Sequence, residues 1–266
     1  MSAIDRPPDV TRPAALLPEL RRIAAAAGEA ILAIYGGDHG TRAKADASPV
    51  TAADEAADRL IVAALRDLTP DTPVVSEETV ETSGPAAAGA PRFWLVDPLD
   101  GTKEFIKRNG EFTVNIALIA HGRPVAGIVH IPVSGETFAG VVGEGATLQR
   151  GGGPPEAIAC RRPPADGVVV MTSRSHADNA ALDTYLRDWR VAERRVAGSS
   201  LKFCRIAEGV ADLYPRLGPT SEWDTAAGHA VLEAAGGSVE TMDGRPLAYG
   251  KPSLLNPHFL ARGLPA

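Results

Sequence analysis

Five acidic positions offer the clearest chemistry in this sequence. Glu77 and Glu78 follow the short apolar run Val74-Val75. Asp97 and Asp100 follow Phe93-Trp94-Leu95-Val96 in the string Asp97-Pro-Leu-Asp100-Gly-Thr102, and Asp224 stands in Glu222-Trp-Asp-Thr-Ala-Ala. Strand ends of one sheet tend to share a rim, so acids distant in sequence can converge there, and clustered carboxylates raise one another's pKa. The usual compensation is a hard divalent cation with oxygen ligands, and Mg2+ keeps positions open for water and phosphate oxygens. Each string also has an ordinary explanation. Asp-Gly and Asp-Pro start turns, Asp224 suits a helix N-cap, Thr51-x-x-Asp54 fits a capping box, and Glu77-Glu78 reads as a solvated pair. One at a time these suffice; together, the strings are too specific for turn chemistry alone.

The elements that must position these acids can be read from periodicity. Leu16, Leu20, Ile23, Ala27, Ile31 and Ile34 recur at steps of three and four, predicting a helix over 14–35 that stops at Gly36-Gly37. A second helix is predicted over 52–68, then a strand at 74–75, a Gly/Ala/Pro-rich loop over 82–91 and a buried strand at 93–96. Strand-like runs at 112–120, 125–131 and 137–142 predict a β-meander. The Gly151-Gly-Gly-Pro-Pro155 stretch marks a boundary, dividing the chain into an N-terminal α+β half (1–153) with most of the acids and a C-terminal α/β half (154–266) with Asp224. The second half alternates: strand 168–171, helix 179–189, strand 194–196, helix 200–209, strand 212–214, helix 223–235 and strand 238–240, which suggests a second α/β layer.

Composition narrows the function. The chain has 266 residues, 27 Lys+Arg, 33 Asp+Glu, a net charge of −6 and 44% hydrophobic residues. That is globular composition, long enough for a substantial core. An acidic balance argues against a nucleic-acid polymer as partner, which wants a basic face, but admits one small phosphorylated ligand. Cys160 and Cys204 have no metal-ligand spacing and imply no disulfide framework; neither reads as catalytic. The N-terminal residues lack a signal-peptide pattern, and no apolar run approaches the roughly 18–20 residues needed to cross a bilayer. A cytoplasmic protein is expected. Peripheral attachment to the inner face of a membrane is left open, though no basic amphipathic helix argues for it, and so is a homodimer.

The strings Pro49-Val-Thr51-x-x-Asp54, Ser76-Glu77-Glu78, Asp97-Pro-Leu-Asp100-Gly-Thr102 and Trp223-Asp224-x-Ala-Ala resemble the lithium-sensitive, Mg2+-dependent phosphomonoesterases related to inositol monophosphatase and fructose-1,6-bisphosphatase. Within that group, Asp97 to Phe105, Gly110-Glu-Phe-Thr-Val-Asn-Ile-Ala-Leu118, Gly198-Ser-Ser-Leu-Lys-Phe-Cys204 and Leu213-Tyr-Pro-Arg216 resemble the CysQ-type 3'(2'),5'-bisphosphate nucleotidases. Lys103-Glu104-Phe105 replaces the Thr-Asn-Phe usual in inositol monophosphatases. The resemblance implies a layered αβαβα sandwich, an α/β fold with the site between its halves. It also implies two Mg2+ per site and a third, weaker one. Glu77, Asp97 and the Leu99 carbonyl would bind the first ion; Asp97, Asp100 and Asp224 the second. The third ion, or its water, would lie among Asp54, Glu77 and Thr102. The Gly101 and Thr102 amides would cradle the phosphate, and inhibition by Li+ is implied.

In the expected chemistry, Glu77 and Thr102 orient a water and Thr102 hands its proton towards Asp54, which a hydroxyl can do and an alanine cannot. Ser199, Ser200 and Lys202 open a predicted helix, where free amides and a Lys suit a phosphate; a Ser N-cap with a solvated Lys is the ordinary explanation. Arg216 either meets a second phosphate or is surface. His176, in Ser173-Arg-Ser-His, either touches a base or ribose or is solvated. Lys103, Lys202 and Arg216 would form a basic lip. The expected activity is hydrolysis of the 3'-phosphate of adenosine 3',5'-bisphosphate to AMP, and of the related sulfate donor. An inositol or sugar phosphatase with the same metals and a non-catalytic Mg2+-dependent nucleotide sensor are the alternatives.

Overall fold

The computed structural model describes residues 11–37, 42–43, 49–80, 89–174 and 179–265. Helix α1 (Leu17–Tyr35) is followed by the short pair β1 (Arg42–Ala43) and β2 (Pro49–Val50), then by α2 (Ala52–Leu68) and β3 (Val74–Ser76). Next come β4 (Arg92–Asp100), the one-turn helix α3 (Thr102–Ile106), β5 (Thr113–Ala120), β6 (Arg123–Ile131), β7 (Glu136–Val141), β8 (Gly145–Arg150) and β9 (Glu156–Ile158). Strands β3 to β9 form one seven-stranded sheet in sequential order, parallel between β3 and β4 and antiparallel thereafter.

The remainder runs β10 (Val168–Ser173), α4 (Asn179–Tyr185), β11 (Val191–Ala197), α5 (Leu201–Ala207), β12 (Leu213–Arg216), α6 (Trp223–Ala234), β13 (Ser238–Thr241) and β14 (Phe259–Arg262). Its five strands are ordered β11-β10-β12-β14-β13, with β11, β10 and β12 parallel and β14 antiparallel to both neighbours.

Strand alternation explains the layering, since successive side chains point to opposite faces. Trp94, Val96, Ile116, Leu118 and Ile128 face α1 and α2, packing on Leu20, Ile23, Ile31, Ile61 and Leu65. Phe93, Leu95, Ala117, Ile119 and Phe138 face the other way, onto α5, α6 and the second sheet, where they meet Phe203, Cys204, Val231, Tyr214 and Phe259. Val168, Val170 and Leu213, on the far face of the second sheet, pack on Leu182 and Leu186 at α4. Helices, sheet, helices, sheet and helix make five layers, the expected αβαβα sandwich. Among the described residues no helix is long and apolar enough to cross a membrane.

The differences from the sequence reading fall where patterning is weakest. The meander continues through β8, which buries only Ala146 and Leu148, and the three-residue β9, so the apolar signal there is short. The helix predicted over 179–189 ends at Tyr185, and β14 was not anticipated. The predicted loop at 82–91 lies largely outside the described residues.

Helix α6 lies close against the first sheet because Gly127 on β6 has no side chain. A Cβ there would sit 2.5 Å from the Ala227 carbonyl oxygen and 2.8 Å from the Ala230 Cβ, both on the helix that carries Asp224. Gly127→Ala is therefore expected to destabilise the protein by about 1–3 kcal/mol, the usual effect of overpacking, read as a lower urea midpoint with an unchanged m-value.

Candidate functional site

The acids converge because three separate elements end at one rim. Glu77 follows β3, and its amide donates to the Val96 carbonyl of β4 at 3.1 Å. Asp97 lies where β4 departs from regular pairing with β5: Asp97 pairs with Asn115 and the next paired residue is Asp100, opposite Thr113. That irregularity turns the chain so that both aspartates reach the cleft. Asp97 Oδ1 accepts the Leu99 amide at 3.1 Å. Gly101, with φ +92°, then makes a left-handed turn into α3, a conformation that glycine adopts without strain. Asp224 is in the first turn of α6, where its Oδ2 accepts the Ser221 amide at 2.8 Å. The cap position itself belongs to Glu222.

One carboxylate oxygen each from Glu77, Asp97 and Asp224 lie within 4.8 Å of one another. Burial, then the charges of Asp100 and Glu77, push the Asp224 carboxyl well above its ordinary value. Three hard oxygen donors at that spacing, one of them with its pKa raised by its acidic neighbours, fit a divalent cation.

Asp100 stands beside this group with different partners. Its Oδ2 accepts the Ser200 amide at 2.6 Å and Asn115 Nδ2 at 3.2 Å. Burial raises its pKa, opposed by Lys202, Ser200 and Asn115. Ser200 links the halves: its hydroxyl donates to the Asp224 carbonyl at 2.7 Å and accepts from Asn115 Nδ2 at 2.9 Å. The Ser200 hydroxyl makes no cap bond and its amide is engaged by Asp100, so the ordinary N-cap explanation does not hold, while Ser199 and Lys202 line the cleft.

Asp54 serves the helix cap and the cleft together. Its Oδ2 accepts from the Thr51 amide at 2.8 Å and the Thr51 hydroxyl at 2.5 Å, completing the capping box. Its Oδ1 accepts from the Thr102 hydroxyl at 3.1 Å. Burial raises the Asp54 pKa, against the bonds from Thr51 and Thr102.

A cavity of about 250 Å3 lies between the halves, lined by Glu77, Asp97, Asp100, Thr102 and Asp224 on one side and by Ser199, Lys202 and Arg216 on the other. Leu99, Gly101 and Lys103 also line it. Of the three cations expected as a lip, only Lys103 is exposed. Lys202 is buried, its Nζ donating to the Ser199 carbonyl at 2.5 Å and the Ala197 carbonyl at 3.3 Å. Arg216 is buried too, donating to Ser173 Oγ at 2.7 Å and the Pro219 carbonyl at 2.8 Å. His176 lies outside the described residues. Asn115 had no assigned role in the sequence reading; its signal was a lone amide inside an otherwise apolar, buried strand.

The model of the inositol monophosphatase family matches residues 14–264. The chain is 49% identical over 247 residues to the 3'(2'),5'-bisphosphate nucleotidase CysQ of Escherichia coli strain K12, covering 92% of this chain and 98% of that one. It is 38% identical over 254 residues to the protein of that name from Buchnera aphidicola, covering 94% of each. Among solved structures, CysQ from Bacteroides thetaiotaomicron, described as a bacterial member of the inositol monophosphatase family, is similar with a TM-score of 0.78 at 42% identity, over 91% of this chain and 94% of that one.

The raised Asp224 pKa has a sign that can be tested in metal-free protein. Between 3.8, its ordinary value, and the raised folded value, the folded chain holds a proton that the unfolded chain has released. Its contribution to stability therefore falls as pH rises through that window. Asp224→Asn should melt higher than the parent in chelator, by a margin that grows as pH rises above the ordinary carboxylate value of 3.8. Scanning calorimetry showing a margin that shrinks with pH would contradict the like-charge account.

Proposed function

The chain belongs to the inositol monophosphatase family, and from that premise we propose that it is a 3'(2'),5'-bisphosphate nucleotidase that removes the 3'-phosphate of adenosine 3',5'-bisphosphate, giving AMP and phosphate. The observation that carries the reading is the convergence of Glu77, Asp97 and Asp224 beside a Thr102 hydroxyl bonded to Asp54. Identity of 49% to a relative of that name, over nearly its full length, supports the nucleotide as substrate, as does Lys103-Glu104-Phe105. The family is metal-dependent and the acid cluster suits a metal; Mg2+ is the ion we infer. Glu77, Asp97 and the Leu99 carbonyl would hold one ion, and Asp97, Asp100 and Asp224 a second. When bound, such ions lower the pKa of coordinated water and offset phosphoryl charge.

The chain's own groups supply the rest. Thr102 Oγ1 donates to Asp54 Oδ1, which leaves its lone pairs to accept from a water. In this mechanism a proton leaving that water passes to Thr102 Oγ1 as the hydroxyl proton moves to Asp54. Burial raises the Asp54 pKa and makes it the better acceptor, while the Thr51 bonds hold its other oxygen still. Glu77 would help to orient the same water. The Gly101 and Thr102 amides, at the free N-terminal end of α3, would take phosphoryl oxygens. Arg216 and Lys202, on the opposite wall, would meet the second phosphate.

Phosphate release from adenosine 3',5'-bisphosphate and from inositol 1-phosphate, with and without Mg2+, tests this. Mg2+-dependent turnover with kcat/KM at least about a hundredfold higher on the nucleotide is expected, and the reverse preference would favour the sugar phosphatase. Asp97→Asn should lower kcat by about a thousandfold or more at saturating Mg2+; near-parental turnover would remove Asp97 from the machinery.

A further inference from the structure

One ion pair at the mouth of the cleft has no part in this chemistry. Glu111 precedes β5 and so belongs to the half built on the first sheet. Arg174 donates to it at two points, Nε to Oε2 at 2.9 Å and Nη2 to Oε1 at 2.7 Å. The same Oε2 accepts the Gly198 amide at 2.8 Å. Arg174 follows β10 and Gly198 follows β11, adjacent parallel strands of the second sheet. One side chain therefore fastens the ends of two strands to the opposite half. The main chains meet there as well, since a Cβ on Gly198 would lie 2.6 Å from the Glu111 carbonyl oxygen. Burial opposes the Glu111 charge, but Arg174 and the Gly198 amide outweigh it and hold the carboxyl below its ordinary value.

The fastened strand ends carry groups that face the cleft. Ser173, beside Arg174, accepts Nη1 of Arg216, and Arg216 Nε is buried with no hydrogen-bond partner among the described residues. Ser199, beside Gly198, has φ +44° and a buried hydroxyl that likewise lacks a partner. Ser200, in contrast, is anchored by Asp100, Asn115 and Asp224, with no help from Glu111. Glu111 thus governs the Arg216 and Ser199 side of the cleft while leaving the acids to other contacts.

We infer that Glu111 is a positioning residue that, through Arg174 and Gly198, fixes the span between the acid cluster and the Arg216–Ser199 wall, tuning the site to phosphomonoesters that carry a second anionic group at a set distance from the first. This rests on the nucleotidase reading of the same cleft. The test is steady-state kinetics of the full chain on adenosine 3',5'-bisphosphate and on adenosine 3'-monophosphate, which lacks the second group. Glu111→Ala should raise KM for the bisphosphate about tenfold, with kcat, and both constants for the monophosphate, within about threefold of the parent. Glu111→Gln, which keeps an acceptor for Gly198, should fall between. Equal losses on both nucleotides, or a loss confined to kcat, would reduce Glu111 to a structural part and overturn the inference.

Amide hydrogen exchange by NMR separates the clasp from the reading it rests on. In Glu111→Ala, exchange should quicken at Gly198 and stay slow at Ser200; unchanged protection at Gly198 overturns the clasp. A parent protein inert towards both nucleotides overturns the nucleotidase reading, and the tuning with it, while the exchange result still reports on the clasp.

Discussion

Mutual repulsion among carboxylates at one rim is the constraint around which this molecule is arranged. Glu77, Asp97 and Asp224 offer oxygens within 4.8 Å of one another, with Asp100 adjacent. Left alone, such a group would splay apart or take up protons. It is held because each acid is mounted on something rigid. Two follow strands whose side chains fill cores on both faces of the first sheet, and the third rides on a helix seated against Gly127. The repulsion is thus opposed by packing across whole layers, and the group could hold a metal ion.

The two halves divide the work. The first sheet supplies nearly all of the acids, together with Thr102 and Asp54. The second supplies Lys202 and Arg216, cations buried behind their own hydrogen bonds. Ser200 comes from the second sheet's side but is tied directly to the first, through Asp100 and Asn115, and its hydroxyl holds the Asp224 carbonyl.

Much of this was legible in the sequence, for reasons that differ by element. Helices α1 and α2 have clean apolar stripes, and the acidic strings carry a family resemblance that strand ends make physically sensible. Strand β8 buries only Ala146 and Leu148, and the edge strand β9 is three residues long, so neither carries a strong apolar signal of its own. Lys202 and Arg216 could be named but not placed. A basic lip was the natural reading of three cations, and only the fold shows two of them turned inward and engaged by backbone carbonyls and Ser173. Ser200 shows the same limit: a serine ahead of a helix reads as a cap, while its bonds reach Asp100, 100 positions away, and Asp224, 24 positions away.

Asp54 joins the start of α2 to Thr102 in a single side chain. One of its oxygens closes the first turn of α2 and the other receives the Thr102 hydroxyl. Replacing it would therefore disturb two distant segments together, the first turn of α2 and the Thr102 side chain forty-eight positions on.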